Sequence, residues 1–333
     1  MEDKRKIFIT GGTGFIGRAL TLALKAHSIK FGLSSESSAS IIPKEFPCIE
    51  LEKLRPADIK NYDVVIHLAG RVHKMNDNSS DSLLKYQKCN TDLTLRLGKI
   101  SLEAGVKKMV FASSVKAGNC EGKRMAGSQN GKRGPGDDYY GHSKLEAESA
   151  LENIFNKEPN SKCLVFRLPL VYGPGVKGNV LRLLIMAEKG NRLPLKAAKG
   201  KRSMLYVGNL CDAFLKVVED ETSGRPSFIK YYLTDGDDLT SNEMYSMIYK
   251  KYRKRDGTFY LPEPLLRLAG SLCSGLETVT GKNLPINSEA VSRLFDEYRF
   301  SSRAFCDDYN WKPPYTPEEG ITDTVKWFQS NNR

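Results

Sequence analysis

Cysteine is sparse and badly spaced for structural use. The seven cysteines are odd in number, and no two of them form a C-x-x-C pair. This argues against a disulfide framework or a zinc site and fits a reducing cytoplasm. No apolar run approaches the roughly 20 residues that cross a bilayer. The opening Met1-Glu2-Asp3-Lys4-Arg5-Lys6 leads straight into a β-prone stretch, without the apolar segment of a secretion signal. Acidic residues are also short: 39 Asp and Glu face 51 Lys and Arg, a net charge of +12. The excess favours anions in general and suits a nucleotide diphosphate without demanding one. Its densest run, Tyr249-Lys250-Lys251-Tyr252-Arg253-Lys254-Arg255, reads as a solvated helix face. No nucleic-acid fold signature accompanies it, so no nucleic-acid partner is expected.

Glycine is where the chain becomes specific. Thr10-Gly11-Gly12-Thr13-Gly14-Phe15-Ile16-Gly17 follows the β-prone Lys6-Ile7-Phe8-Ile9 and precedes helical apolar spacing over 15–26. A glycine turn between a strand and a helix is the context of a dinucleotide site. Gly11 permits the tight turn, Gly14 lets backbone approach a pyrophosphate, and Gly17 lets the helix pack closely on the sheet. The helix N-terminus then offers free N–H groups to the phosphates. A second strand is expected near 29–33, followed by Ser34, Ser35 and Glu36. An acid there selects NAD and a base selects NADP; serine hydroxyls suit either, so both cofactors stay open.

Tyr140 and Lys144 stand four residues apart before the helix-prone Leu145-Glu146-Ala147-Glu148-Ser149-Ala150-Leu151, which puts both on one helix face. Alone, that spacing more often marks a solvated surface; downstream of the glycine turn it reads as a proton-transfer pair. A free tyrosine titrates near 10, and bringing it close to neutrality needs about 4 kcal/mol of differential stabilisation. Neighbouring cations supply such stabilisation. Lys108-Met109-Val110-Phe111-Ala112-Ser113-Ser114 reads as a buried strand ending at the ligand crevice, with Ser114 placed to bond the reacting oxygen. Asp63-Val64-Val65-Ile66-His67-Leu68-Ala69-Gly70 ends another strand. His67 there is read as packed rather than catalytic.

With these motifs in order, the chain resembles the extended short-chain dehydrogenase/reductase family, in its nucleotide-sugar epimerase, dehydratase and ketoreductase branch. TGGTGFIG, HLAG, Asn90, the FASS strand, YGHSK, Arg167-Leu168-Pro169-Leu170-Val171-Tyr172-Gly173-Pro174-Gly175, Asn179 and Lys201-Arg202-Ser203-Met204-Leu205-Tyr206-Val207 carry the resemblance over nearly the whole length. HLAGRVHKMND and SSVKAGN look most like bacterial surface-polysaccharide enzymes acting on UDP-linked amino or deoxy sugars. The resemblance implies Ser114, Tyr140 and Lys144 as the catalytic set. It implies cofactor contacts at Gly11, Gly14, Phe15, Ile16, Gly17, Ser34, Leu68, Ala69, Gly70, Asn90, Lys144 and Pro169. Ser114, Tyr140, Asn179 and Arg202 would meet the sugar nucleotide, with arginine suited to phosphate by its planar fork.

One departure narrows the reaction. A 4,6-dehydratase of this family places an Asp-Glu pair directly after the catalytic hydroxyl residue. Here Val115 and Lys116 stand there, so dehydration is disfavoured, and a uronic-acid decarboxylase is weakened alike. Chemistry at one carbinol carbon, C4, remains. The expected enzyme is an NAD(P)-dependent 4-epimerase of a UDP-hexose or UDP-N-acetylhexosamine. The alternatives are a 4-ketoreductase of a UDP-4-keto-6-deoxy-N-acetylhexosamine, or a non-catalytic dinucleotide sensor or scaffold.

The expected fold is an α/β doubly wound, Rossmann-type parallel sheet over 1–172, with segments near 203–235 returning to it. Residues 173–333 would form a smaller, mostly helical substrate lid, interleaved with the first unit. Thr258-Phe259-Tyr260 reads as strand-like, and 261–276 as a partly amphipathic segment that could pack internally or touch a membrane, with packing inside the lid the favoured reading. The glycine-rich, basic stretch 120–138 reads as a mobile loop beside the site. A cytoplasmic homodimer is the family expectation.

Overall fold

The computed structural model describes residues 5–26, 30–34, 49–71, 84–120, 139–221, 224–280 and 287–331. Its main sheet joins β1 (Lys6–Thr10), β2 (Lys30–Ser34), β3 (Val64–His67), β4 (Lys108–Ser114), β5 (Lys162–Leu168) and β9 (Phe228–Tyr232). All neighbours are parallel, in the order β2-β1-β3-β4-β5-β9. The strands are apolar on both faces, as a sheet covered by helices requires. Alternate residues feed opposite cores. Ile7, Ile9, Val64, Ile66 and Val110 point into one, while Phe8, Val65, Met109, Phe111 and Val165 point into the other.

The first core is closed by α1 (Phe15–Ala26) through Leu20 and Leu24, and by α7 (Val207–Glu219) through Leu210 and Phe214. The second is closed by the short α2 (Pro56–Ile59) through Ile59, by α3 (Leu93–Glu103) through Leu97 and by α5 (Tyr139–Phe155) through Leu151, with the short α4 (Val115–Cys120) following β4. The doubly wound sheet expected from the sequence is therefore present. From β1 the chain moves to β2 on one side and then to β3 on the other. That reversal makes the gap between β1 and β3 the topological switch point, where such sheets bind ligands beyond their carboxyl ends.

Beyond β5 the chain forms β6 (Leu170–Tyr172), which pairs in parallel with β8 (Met204–Tyr206). The next pair, β7 (Lys201–Arg202) and β10 (Leu239–Thr240), is antiparallel. The helices α6 (Gly178–Glu188), α8 (Ser241–Lys250), α9 (Glu263–Thr280), α10 (Ser288–Phe295), α11 (Arg303–Tyr309) and α12 (Pro317–Asn331) complete this part. The basic run at the end of α8 divides by side-chain chemistry. Tyr249 is buried and donates to the Gly190 carbonyl, whereas Lys250, Lys251, Lys254 and Arg255 are exposed.

Two expectations for this region fail. Thr258 makes only an isolated bridge to Leu193, and Phe259 and Tyr260 are exposed rather than in a strand. The following segment is helical, but its leucines do not all turn inward. Leu266 packs with Ala197 and Val291, while Leu265, Leu268, Leu272 and Leu276 face outward. The reason is geometric. α10 approaches α9 closely at Gly270, where an added Cβ would lie 2.9 Å from Val291. The contact face is thus narrow and uses small residues, leaving the leucine stripe on the opposite side.

Candidate active site

The turn after β1 is held by its own backbone. Gly14 N–H donates to the Gly11 carbonyl at 3.0 Å. Gly11 has φ 73°, and a Cβ there would lie 2.6 Å from the Ala69 nitrogen. At Gly17 a Cβ would meet the Gly11 carbonyl oxygen at 2.2 Å. Gly17 therefore serves close packing of the helix on the glycine turn itself rather than on the sheet. Gly14 is exposed at the opening of α1, the position from which a helix N-terminus meets an anion. Phe15 and Ile16 begin that helix, half-buried. Ser34 pairs its backbone opposite Thr10; Ser35, Glu36 and the 121–138 stretch lie outside the described residues.

Across the switch point, Leu68 N–H donates to the Thr10 carbonyl at 3.1 Å and Ala69 N–H to Thr10 Oγ1 at 3.3 Å. His67 is fully buried between Thr10 and Thr94, with Nε2 2.8 Å from Thr94 Oγ1. Burial first, and then the charge of Lys144, push its pKa down to about 3. It is a neutral packing residue, as the sequence indicated.

Asn90 lies in a π-helical turn, Gln87–Asp92, that runs into α3. Its side chain accepts from Arg71 N–H at 2.7 Å and donates to the Arg71 carbonyl at 3.1 Å and to Ser143 Oγ at 3.0 Å. It thus clamps the chain after β3 to α5. A Cβ on Gly70 would lie 3.0 Å from Asn90 Oδ1 and 3.2 Å from Lys144 Nζ, so Gly70 leaves the lysine its space.

α5 carries Tyr140 in its first turn and Lys144 one turn later. Lys144 is buried, and its ammonium donates to the Ala112 carbonyl of β4 at 3.0 Å. That bond joins the helix to the strand two residues before Ser114. Ser114 is buried at the strand end, where its Oγ accepts from Lys116 N–H at 3.3 Å. Tyr140 is half-buried, edge-on to Tyr86 at 6.3 Å, with the Lys116 ammonium 5.9 Å from its ring centre. Lys144 and Ser114 thus both meet the carboxyl end of β4, and Lys116, two residues after Ser114, lies beside the Tyr140 ring.

Burial pushes Lys144 down to about 8, opposed by the charge of Glu148. Glu148 is fully buried one further turn along α5, where it receives Arg167 Nε at 3.1 Å and the Ser113 hydroxyl. Arg167 also donates to Tyr232 Oη at 2.9 Å. This buried group is not evident from the sequence. The i+4 spacing of Glu148 from Lys144 was available as a signal, but its pairing with Arg167 on β5 follows only from the fold.

The remaining candidates lie further out. Pro169 is buried between β5 and β6, and Asn179 is exposed in the first turn of α6. Arg202, in β7, sits over the Tyr298 ring at 5.9 Å, and its buried Nε has no hydrogen-bond partner. Burial, then the nearby Arg293 charge, hold its pKa below the usual arginine value. Tyr298 and Asp296 act in the opposite sense, and no carboxylate forms an ion pair with Arg202 among the described residues, which leaves the guanidinium open to an incoming anion.

Residues 7–229 match the NAD dependent epimerase/dehydratase family. A UDP-glucose 4-epimerase from Vibrio cholerae is 31% identical, covering 99% of this chain and 97% of its own. The N-acetyl-alpha-D-glucosaminyl-diphospho-ditrans,octacis-undecaprenol 4-epimerase of Escherichia coli O157:H7 is 27% identical, covering 96% and 94%. Among solved structures, a UDP-N-acetylglucosamine 4-epimerase from Bacillus cereus superposes with a TM-score of 0.69 at 18% identity, covering 98% and 97%. At that identity the likeness is one of fold.

Proposed function

The chain belongs to the NAD dependent epimerase/dehydratase family, and from that premise we propose that it is a nucleotide-sugar 4-epimerase acting on a UDP-hexose or UDP-N-acetylhexosamine. What supports this reading is that Lys144 bonds the β4 carbonyl two residues before Ser114, with Tyr140 one turn earlier on the same helix, at the sheet end that carries the glycine turn. Both full-length curated relatives compared above are 4-epimerases.

The residues present fit a dinucleotide. Two glycines pack too tightly for any Cβ, Gly14 opens the helix N-terminus, and Gly70 keeps the Lys144 ammonium clear. Gly11, Gly14, Phe15, Ile16, Gly17, Leu68, Ala69, Gly70 and Pro169 would hold NAD with Lys144, and Asn90 would position the chain after β3. NAD, when bound, supplies reversible two-electron oxidation at C4.

The chain's own residues handle the proton and the sugar. Tyr140 takes the proton from the 4-hydroxyl as C4 is oxidised and returns it when the ketone is reduced from the other face. Lys144, charged below about 8, favours the phenolate. Ser114 donates to the C4 oxygen and fixes its distance from Tyr140. Arg202 and Asn179 would hold the diphosphate, as part of a substrate unit formed mainly by 173–333. We place the enzyme in the cytoplasm, as a homodimer.

Denaturing the purified protein and identifying the released cofactor tests the reading, together with UDP-hexoses and UDP-4-keto sugars as substrates. Retained NAD with C4 inversion is expected. An empty site that fills with NADPH and reduces a 4-keto sugar would replace epimerase with reductase. Binding without turnover would leave a sensor.

A further inference from the structure

We infer that α9 is a membrane-docking helix that seats the protein on an anionic lipid surface. The helix uses two faces. Leu266, Gly270 and Ser274 meet the body of the protein or α10, the last through Ser288 at 3.1 Å. Leu265, Leu268, Leu272 and Leu276 lie on the opposite side, within an arc of roughly 80° at helical spacing. Their exposures are 50%, 56%, 63% and 54%. Tyr260 at 67% and Phe259 at 38% extend the apolar strip past the helix start. Leucines elsewhere in the chain are mostly buried, and a patch this continuous marks an interaction surface.

Charge at its edge selects the occupant. Three nearby acids are ion-paired, Asp256 with Lys196, Glu263 with Arg267 and Glu289 with Arg293, and Glu277 turns to the covered side of α9, where Asn287 donates to it at 3.4 Å. Arg192, over the Phe259 ring at 6.0 Å, and exposed Lys199 have no carboxylate partner among the described residues. Lys199 follows Ala197, which touches Leu266. The two uncompensated charges around α9, Arg192 at the aromatic end and Lys199 on the covered side, are therefore positive. An apolar strip with aromatics and a cation at one end and a second cation behind the helix matches a helix lying in the headgroup plane, and anionic lipids add attraction. A second copy would bring like charges together. No described helix is long and apolar enough to cross a membrane, so the contact is peripheral. Since Arg293 on α10 neighbours Arg202, docking would hold the proposed diphosphate site close to the headgroups.

The test is co-sedimentation of the full chain with vesicles of phosphatidylethanolamine and phosphatidylglycerol, against phosphatidylcholine alone. Binding is expected to the anionic vesicles and to weaken with salt. The double substitution Leu268→Ser with Leu272→Ser should lower partitioning by about tenfold or more, with melting temperature and turnover on soluble UDP-sugar unchanged. Arg192→Gln with Lys199→Gln should weaken binding to anionic vesicles. Wild-type protein left in the supernatant, or a serine variant that binds equally, would overturn the inference. So would a serine variant that only converts a dimer to monomers in light scattering, which would make the strip a contact between copies. Turnover is read separately, so failure here leaves the proposed reaction standing.

Discussion

The Lys144 ammonium donates to the Ala112 carbonyl at 3.0 Å, inside a site so buried that its pKa falls to about 8. Its folded value lies below the unfolded one near 10.4. The charged form is thus the one the fold disfavours, and stability contributed by this group is present above the unfolded value and lost as pH falls through about 8. Activity runs the other way, because the ammonium is needed. We expect kcat/KM to decline above about pH 8 and Lys144→Arg to move that limb upward. A profile flat to strongly alkaline pH would contradict this role.

The glycine turn gives two unlike substitutions. Gly17→Ala forces a methyl to 2.2 Å from the Gly11 carbonyl and should cost about 1–3 kcal/mol or more, with loss of cofactor. Gly14→Ala meets the same oxygen at 3.2 Å in an exposed position. It should fold nearly normally yet bind NAD more weakly. Thermal melts and cofactor content per chain separate the two outcomes.

Glu148 and Arg167 form a buried pair at the back of α5. Removing one member, as in Glu148→Leu, strands the other charge and should cost about 3–5 kcal/mol. Glu148→Leu combined with Arg167→Met should recover much of that loss. Urea unfolding midpoints check both.

Arg202 is expected to act on binding. Arg202→Gln should raise KM for a UDP-sugar by about tenfold or more while kcat changes little, the pattern of uniform binding lost. A fall in kcat at unchanged KM would instead assign it to the chemical step.

Strand-to-helix alternation was readable because β1, β3 and β4 are apolar runs with turn signals between them. The glycine spacing and the Tyr140–Lys144 interval were readable because local geometry alone gives them meaning. What escaped depends on chain segments meeting. Arg167 finds Glu148 across 19 residues, and Asn90 finds Ser143 across 53. The leucines of α9 show a further gap: a periodic apolar stripe reveals amphipathicity but not which side the protein covers. Gly270 and Leu266 meet the protein, so the longer stripe stays outside.

The most direct measurement follows deuterium placed at C4 of the UDP-hexose that the enzyme inverts. Product is expected to retain the label at C4 in ordinary water, and Tyr140→Phe to slow inversion by about 10²-fold or more while still holding NAD. Deuterium lost to solvent, or full turnover by the phenylalanine variant, would contradict the proposed mechanism.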